Sequence, residues 1–234
     1  ADAYAEANRP MMEIIDCEQN SPEWIAARLG RPTASMFATI LAKGKDGKSP
    51  SVTRKDYMRK LAGEIVTGEP AENYSNGYME RGHAMEPEAR RAYAFMRDVD
   101  PQPVGFIVNG RAGASPDSLV GSGGLLEIKT KTPARLIECM ERDDAPPEHV
   151  AQIQGQLWVA EREWCDLVVY FTGMPLVVHR VKRDEAYIVR LRSGVAAFCE
   201  ELDALVERVR GYSDPGVARE AFRASVILGD VGLA

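Results

Sequence analysis

Hydrophobic residues recur every three or four positions in the last third of the chain. The stripe consists of Ile188, Leu191, Val195, Phe198, Leu202, Leu205 and Val209. This spacing places the side chains on one face of an α-helix. The pattern therefore predicts a long helix that packs against a core, with Asp184 as its N-terminal cap.

Shorter segments complete the predicted fold. Helices are expected from Ser21, from Thr33, around Tyr57–Ile65, over Met79–Met96, from Pro133 and over Glu148–Glu161. Strands are expected at Val104–Val108, Asp117–Val120 and Leu125–Thr130, followed by a hairpin of Leu167–Thr172 and Leu176–Lys182. This order predicts an α/β fold with a mixed central sheet flanked by helices. It forms a single domain over residues 13–234, preceded by a flexible tail or added residues at 1–12.

The composition is that of a globular protein with one core. The 234 residues are 45% hydrophobic and 27% charged, and no apolar run reaches the roughly 18 residues of a membrane span. The four cysteines are Cys17, Cys139, Cys165 and Cys199. They are scattered without a C-x-x-C pair, which argues against a zinc or iron–sulfur site and favours a reducing cytoplasm.

Charge is unevenly distributed along the chain. The net charge of −6 argues against nonspecific DNA binding by the whole protein surface. Basic residues are nevertheless concentrated in one segment, at Lys43, Lys45, Lys48, Arg54, Lys55, Arg59 and Lys60. This segment is either solvated surface charge or a track for phosphates, and the sequence leaves both interpretations open.

Two carboxylates and a lysine form the strongest chemical signal. Asp117 ends the segment Ser115–Asp117, and Glu127 and Lys129 follow on a predicted strand. Residues two apart on a strand share a face, so Glu127 and Lys129 project together while Ile128 faces the core. Two carboxylates with room for water suit Mg²⁺, and a nearby lysine can orient or deprotonate a water for attack on phosphorus. The pattern predicts a metal-dependent phosphodiesterase, and its ordinary alternative is a surface ion pair.

The predicted helix from Glu148 carries a second polar feature. His149, Gln152 and Gln156 share one face of this helix, beside an apolar face that includes Ile153. Solvated helix faces usually carry lysine and glutamate, whereas neutral amides suit contact with a phosphate or a base. The stripe is therefore either a solvated face or a substrate contact.

Five segments stand in a fixed order along the chain: W-x3-R-x4-T-A-S at Trp24–Ser35, a glutamate segment at Gly82–Glu86, Ser115–Asp117, Glu127–Lys129, and a glutamine segment at Ala151–Gln154. Their sequence and order resemble the phage λ exonuclease (YqaJ-like) type of the PD-(D/E)xK nuclease superfamily. The resemblance covers about Trp24 to Arg183. Five motifs in the family's order are far more specific than the acidic motif alone. They imply a restriction-endonuclease-like fold.

This resemblance implies roles at matching positions. Asp117, Glu127, the Ile128 carbonyl and Glu86 would bind one or two Mg²⁺ ions, with Mn²⁺ as a substitute. Lys129 would orient or activate the attacking water. In this assignment Asp117, Glu127, Lys129 and Glu86 are the catalytic residues.

A site for the 5′-phosphate and the adjacent DNA is implied as well. Its members would be Arg28, Ser35, Ser115, Gln152, Thr33, Trp24 and His149. A guanidinium with hydroxyl and amide donors is also, on chemical grounds, a good clamp for a phosphate. Met79 falls where the family places an apolar wedge between bases, and a core methionine is an equal alternative.

Two residues depart from the family pattern. Pro87 directly follows Glu86, and proline disfavours helical geometry in the residue before it. The glutamate helix is therefore expected to be kinked or to begin later. His149 stands where related enzymes commonly carry an aromatic residue, which predicts retained stacking with a pH-sensitive contribution.

The activity implied by the resemblance is Mg²⁺-dependent 5′→3′ hydrolysis of one strand of linear double-stranded DNA. The products would be mononucleotides and single-stranded DNA for recombination. The resemblance further implies a phage- or prophage-encoded homotrimer in the bacterial cytoplasm, without membrane association, that works with a single-strand annealing protein. The alternatives are a structure-specific endonuclease of the same superfamily and a non-catalytic DNA-end-binding protein.

Overall fold

Helices and strands follow one another in the order expected of an α/β fold. A computed structural model describes residues 12–71, 77–142 and 144–212, apart from the side chains of residues 77–81 and 83. The helices are α1 (Pro22–Arg28), α2 (Phe37–Leu41), α3 (Val52–Thr67), α4 (Gly77–Arg97), α5 (Pro133–Met140), α6 (Pro147–Val159) and α7 (Glu185–Arg210), with a 3₁₀ turn at Ala34–Met36. The strands are β1 (Glu13–Ile15), β2 (Phe106–Asn109), β3 (Ala112–Ala114), β4 (Ser118–Val120), β5 (Gly124–Thr130), β6 (Trp164–Tyr170) and β7 (Val177–Lys182). None of these described helices is both long and apolar enough to cross a membrane.

The described strands form two sheets. A four-stranded mixed sheet has the order β4-β5-β6-β7, in which β5 and β6 run parallel and the outer pairs are antiparallel. A three-stranded antiparallel sheet has the order β1-β2-β3. An isolated bridge between Gln102 and Leu119 links the segment before β2 to β4. The predicted mixed sheet and the hairpin of β6 and β7 are confirmed.

Strand β5 lies inside the mixed sheet and separates two packed faces. On one face, Leu126 and Ile128 join a hydrophobic cluster with residues of α4. On the other face, Leu125 belongs to the main core, to which α6 contributes Ile153 and Leu157. The odd-numbered residues of β5 therefore face the α6 side, as a period of two predicts.

Two predicted helix starts are confirmed by their capping hydrogen bonds. Ser21 Oγ accepts from the Trp24 N–H at 3.2 Å, and Asp184 Oδ1 accepts from the Tyr187 N–H at 2.9 Å. Caps of this kind satisfy main-chain donors that the first helical turn leaves without partners. Most of the apolar stripe of α7 packs in the main core, which agrees with its predicted role, whereas Val209 in the last turn is exposed.

Helix α4 contradicts the expectation that Pro87 delays the glutamate helix. The helix runs without interruption from Gly77 to Arg97 and includes both Glu86 and Pro87. The next turns are anchored by Tyr93, which is fully buried against the mixed sheet. Burial of a large side chain contributes about 1.5–3 kcal/mol, comparable with the roughly 3 kcal/mol that an internal proline costs. Tertiary packing therefore offsets the local preference.

The sequence pattern misses β1 and β3, which have three residues each. Three residues are too few to display an alternating pattern, and the Ala-Gly-Ala sequence of β3 has low strand propensity. A Cβ added at Gly113 would lie 2.2 Å from the Phe106 ring. The strand conformation of β3 is therefore determined by close packing against β2. The local sequence does not encode that contact.

The basic segment is partly structural. Arg54 is buried, donates to the Ile40 carbonyl at 3.0 Å and forms a bidentate pair with Glu201 at 2.8 and 3.0 Å. Arg59 is paired with Asp56 at 2.8 Å. These cations fix α3 against α7 or form a local ion pair, which favours structural and surface charge over a continuous phosphate track.

Helix α6 approaches the 3₁₀ turn closely because residue 155 is glycine. A Cβ at Gly155 would lie 2.4 Å from Phe37 Cδ2 and 3.2 Å from the Cβ of Ala34. Phe37 is fully buried, so its ring has no solvent space into which it can move. This contact sets how closely the polar stripe of α6 can approach the core and the mixed sheet.

We expect Gly155→Ala to destabilise the fold by a net of up to about 2 kcal/mol. An overpacking cost of about 1–3 kcal/mol is set against a gain in helix propensity of roughly 1 kcal/mol, and the fully buried Phe37 ring keeps the cost above the lower end of its range. Gly63→Ala is the matched control, because Gly63 is exposed on α3 and a Cβ there meets nothing within 4 Å. The control should stabilise the fold by roughly 0.5–1 kcal/mol. Urea unfolding measures both, and stabilisation by both variants would contradict the tight contact.

Candidate active site

Strand β5 directs a glutamate and a lysine towards α6. Glu127 is 3% exposed, and its Oε1 lies 2.7 Å from Lys129 Nζ. Gln152 Nε2 donates to Glu127 Oε1 and Gln156 Nε2 donates to Glu127 Oε2, both at 2.6 Å. Each oxygen of this buried carboxylate therefore has a donor, which offsets the cost of removing a charge from water. The spacing of four residues lets one helix face supply both amides.

The contact with Glu127 also sets the charge of Lys129. Burial alone would lower the pKa of Lys129, but the charge and hydrogen bond of Glu127 raise it above its usual value, helped by Asp117. The ammonium is therefore charged at neutral pH. It is a hydrogen-bond donor held in a fixed position between a strand and a helix.

Asp117 lies at the edge of β5, next to this pair. Its N–H donates to the Leu126 carbonyl at 3.0 Å, and its Oδ2 accepts from the Ile128 N–H. Burial raises the pKa of Asp117 well above its usual value, and the negative charges of Glu127 and Glu86 raise it further. Three carboxylates thus lie close enough together to repel one another.

Glu86 reaches the site from α4. Its carboxylate is paired with Arg90, one turn further along the helix. Arg90 also donates to the Asp117 carbonyl at 3.2 Å and to Ser118 Oγ at 2.9 Å. The prediction that Glu86 belongs with Asp117 therefore agrees with the geometry. Sequence reasoning missed Arg90, although its spacing of four from Glu86 was an available signal.

These residues fit a divalent-cation site. Carboxylate and carbonyl oxygens are the ligands that Mg²⁺ and Mn²⁺ prefer, and a cation would relieve the repulsion that raises the pKa of Asp117. The N–H and carbonyl of one strand residue face the same edge, so the Ile128 carbonyl points towards the side where Asp117 lies. In the part of the chain that the structure describes, no three His, Cys, Asp or Glu side chains form a ready-made cage. Glu127 and Glu86 instead point at the protein donors described above.

A second polar cluster lies two residues before Asp117 along the chain. Trp24 Nε1 donates to Ser115 Oγ at 2.9 Å, and Arg28 Nη1 donates to the same oxygen at 3.4 Å. The Arg28 guanidinium lies 4.0 Å from the centre of the Trp24 ring. Burial lowers the pKa of Arg28, yet a guanidinium remains charged at neutral pH. Helix α1 and the segment before β4 thus bring a guanidinium, an indole N–H and a hydroxyl together, which is a set of donors that suits an anion.

Thr33 and Ser35 form a polar pair beyond the end of α1. Their hydroxyl oxygens are 3.3 Å apart, and the Thr33 N–H donates to the Tyr57 hydroxyl at 3.3 Å. Thr33 is buried, whereas Ser35 is exposed at the 3₁₀ turn. Of this pair, the Ser35 hydroxyl is the one accessible to a ligand.

Both glutamines of the α6 polar stripe donate to Glu127. Gln152, the predicted 5′-phosphate contact, donates to Glu127 Oε1, and its contact with a phosphate stays a prediction. Gln156, which has no predicted role beyond the polar stripe, is almost fully buried and donates to the other oxygen of Glu127. The stripe is therefore not a solvated face, and the substrate contact stays a prediction.

His149 lies on α6 near the lysines of β5 and of the segment after it. Burial lowers its pKa to about 4, and the charges of Lys131 and Lys129 act in the same direction. The imidazole is therefore neutral around pH 7, and the predicted pH-sensitive contribution is corrected accordingly. The side chain of Met79, the predicted wedge, lies outside the described residues.

A cavity of about 430 Å³ opens beside the carboxylates. Glu86, Arg90 and Asp117 line it from the site, and Asp16 and Glu18 line it from the segment after β1. The cavity gives an approach to Asp117 that no residue of α6 lines.

The comparison with protein families agrees with this geometry. The model of the YqaJ-like viral recombinase domain matches residues 23–163, a span that contains both polar clusters. A search of curated proteins found no match to the chain.

Three solved exonuclease structures resemble this chain in fold. The alkaline exonuclease LHK-Exo from Laribacter hongkongensis matches with 33% identity and a TM-score of 0.73, over 87% of this chain and 100% of that chain. The complex of LHK-Exo with dAMP matches with 34% identity and a TM-score of 0.74, over the same shares of the two chains. A phage-related exonuclease from Haemophilus somnus 129PT shares the fold at 16% identity and a TM-score of 0.60, over 76% of this chain and 96% of that chain.

The predicted α/β nuclease fold is therefore confirmed. The family match spans more than half of the chain, from the helix of Trp24 and Arg28 to the helix of Gln152 and Gln156. This chain belongs to the YqaJ-like viral recombinase family.

Proposed function

We propose that this protein is a Mg²⁺-dependent exonuclease that hydrolyses one strand of linear double-stranded DNA from its 5′ end. The observation that carries the proposal is the placement of two clusters side by side. The group around Asp117, Glu127 and Lys129 adjoins the Arg28–Ser115 pocket along a single backbone segment. The exonuclease described from Laribacter hongkongensis supports the general class of the reaction.

The carboxylates would hold the metal. Asp117, Glu127, Glu86 and the Ile128 carbonyl would bind one or two Mg²⁺ ions, with Mn²⁺ as a substitute. When bound, the metal would supply a nucleophilic water and stabilise negative charge on the phosphodiester. Lys129, held by Glu127 at 2.7 Å, would donate a hydrogen bond to the attacking water and orient it towards phosphorus.

The glutamines of α6 would keep Glu127 in place for this chemistry. Their amides fix both carboxylate oxygens before any ligand arrives. Prior positioning of this kind lowers the entropy cost of assembling the reactive arrangement. Gln152 lies closer to the protein surface than Gln156 and would be the first to exchange its contact for one with the substrate.

The second cluster would recognise the end of the DNA. Arg28 and the hydroxyl of Ser115 would bind the terminal 5′-phosphate, and Trp24 would hold the guanidinium and the hydroxyl in place. Charge-assisted hydrogen bonds to a phosphate are about twice as strong as neutral ones. Ser35 and Thr33 would extend the same pocket.

The proposed activity extends to a role in recombination. Mononucleotide release from one strand would leave single-stranded DNA for a single-strand annealing protein. The viral recombinase family supports a phage or prophage origin and, with it, action in the bacterial cytoplasm. A homotrimer would enclose the duplex, with His149 and Met79 near the bases.

Lys129→Ala should abolish most of the nuclease activity. Loss of a positioned proton donor or acceptor typically costs about 100- to 10,000-fold in kcat, and we expect the Michaelis constant for DNA to change little. The measurement is nucleotide release from a 5′-phosphorylated linear duplex with Mg²⁺. Arg111→Ala is the control, because its exposed pair with Asp203 involves neither polar cluster.

Unchanged nucleotide release by the Lys129→Ala variant would contradict the proposed mechanism. Covalently closed circular duplex tests in the same assay whether the activity depends on a DNA end. An end-dependent enzyme leaves the circle intact, whereas cleavage of the circle would establish the endonuclease alternative. DNA-end binding without any metal-dependent product would establish the non-catalytic one.

Arg28→Ala should reduce the preference for 5′-phosphorylated over 5′-hydroxyl ends. Loss of a hydrogen bond to a charged group costs about 1.5–3 kcal/mol, so the preference should fall by about 10- to 100-fold. Competition between the two labelled duplexes measures the ratio directly. An equal loss of activity on both ends would show that Arg28 stabilises the fold or binds DNA elsewhere.

A further inference from the structure

Arg90 lies on α4 one turn after Glu86 and contacts three groups at once. Its Nη2 donates to the Glu86 carboxylate and to the Asp117 carbonyl, and its Nε donates to Ser118 Oγ at 2.9 Å. The guanidinium thus joins a helix-borne carboxylate to the segment that carries Asp117. A planar fork with five donors suits this geometry, whereas a lysine ammonium does not reproduce it.

This arrangement differs from an ordinary surface ion pair. The side chain of Arg90 is only 20% exposed, and that of Glu86 is 26% exposed. Ser118 is fully buried, and its Oγ donates in turn to the Asp117 carbonyl at 2.6 Å. Arg90 therefore holds that carbonyl both directly and through Ser118.

The neighbouring carbonyl is held from the other side. Gln19 Nε2 donates to the Pro116 carbonyl at 3.0 Å and to the Val104 carbonyl at 2.8 Å. The backbone on which Asp117 stands is thus fixed by side chains from two different segments of the chain. Of these two side chains, Arg90 also contacts Glu86, and it does so beside Pro87, where the helix lacks one main-chain donor.

We propose that Arg90 is a positioning residue that sets the separation of Glu86 and Asp117, so that both carboxylates can bind one divalent cation. The inference rests on the proposed metal-dependent function. Its positive charge also offsets the mutual repulsion of the acidic groups, so the cluster can assemble before a cation arrives. Arg90 acts through Glu86 and Asp117 and does not contact the reacting atoms.

Replacement of Arg90 should weaken cation binding as well as turnover. Residues that orient metal ligands typically contribute about 10- to 100-fold to metal affinity or activity. We expect Arg90→Ala to weaken Mn²⁺ binding, measured by calorimetry without DNA, by that factor. The Mg²⁺ concentration for half-maximal nuclease activity should rise in parallel, while the Michaelis constant for DNA stays unchanged. Arg90→Lys should restore only part of the loss, and Arg111→Ala should match the wild type.

A double-mutant cycle separates positioning from a purely structural role. Glu86→Gln removes the carboxylate that Arg90 orients, so adding Arg90→Ala to it should weaken Mn²⁺ binding less than Arg90→Ala does alone. Arg90→Gln, which retains most of the side-chain packing, serves if the alanine variant does not fold. A lowered melting temperature with unchanged Mn²⁺ affinity, or full additivity in the cycle, would overturn the inference. A wild-type protein that neither binds Mn²⁺ nor releases nucleotides would instead overturn the proposed function on which it rests.

Discussion

The burial of Glu127 is the constraint on which the rest of the site depends. Its carboxylate is 3% exposed on an interior strand, and an unpaired charge in such a place costs several kcal/mol. Lys129 and the two glutamines of α6 satisfy it. Helix α6 must therefore lie close to β5, and Gly155 provides the space for that approach against Phe37. The close approach of α6 therefore serves both the packing of the core and the stabilisation of the buried Glu127 charge.

The second acidic group is stabilised in a different way. Asp117 accepts a hydrogen bond from the Ile128 N–H, but burial raises its pKa, and the nearby charges of Glu127 and Glu86 raise it further. The sheet separates the two supports, since α6 serves Glu127 from one face while α4 brings Glu86 and Arg90 from the other. Asp117 stands at the edge where both meet. Under the proposed function, a divalent cation would relieve the remaining repulsion at this edge of β5.

The sequence predicts those features that depend only on residues close together along the chain. The shared face of Glu127 and Lys129 follows from the period of a strand, and the cap at Asp184 follows from residues within one turn. The partners of Gln156 and Arg90 depend on which elements pack together, which no local spacing specifies. Pro87 is a case in which the local signal is misleading. Proline predicts a break in the helix, but the tertiary packing of α4 keeps the helix continuous. The strand β3 is fixed by contact with Phe106, so its residues carry little strand signal of their own.

Under the proposed function, the short distance between the two clusters decides what the enzyme can release. Ser115 and Asp117 are two residues apart, and an extended backbone spans at most about 7 Å over that distance. Gln19 and Arg90 hold the carbonyls of Pro116 and Asp117, so this spacer is rigid. A terminal phosphate bound at Ser115 would then fix the next phosphodiester at the carboxylates, and no longer product would fit between them. The length of the released product would thus be set by the backbone between the phosphate pocket and the metal site. No additional structural element would be needed to limit the product to a single nucleotide.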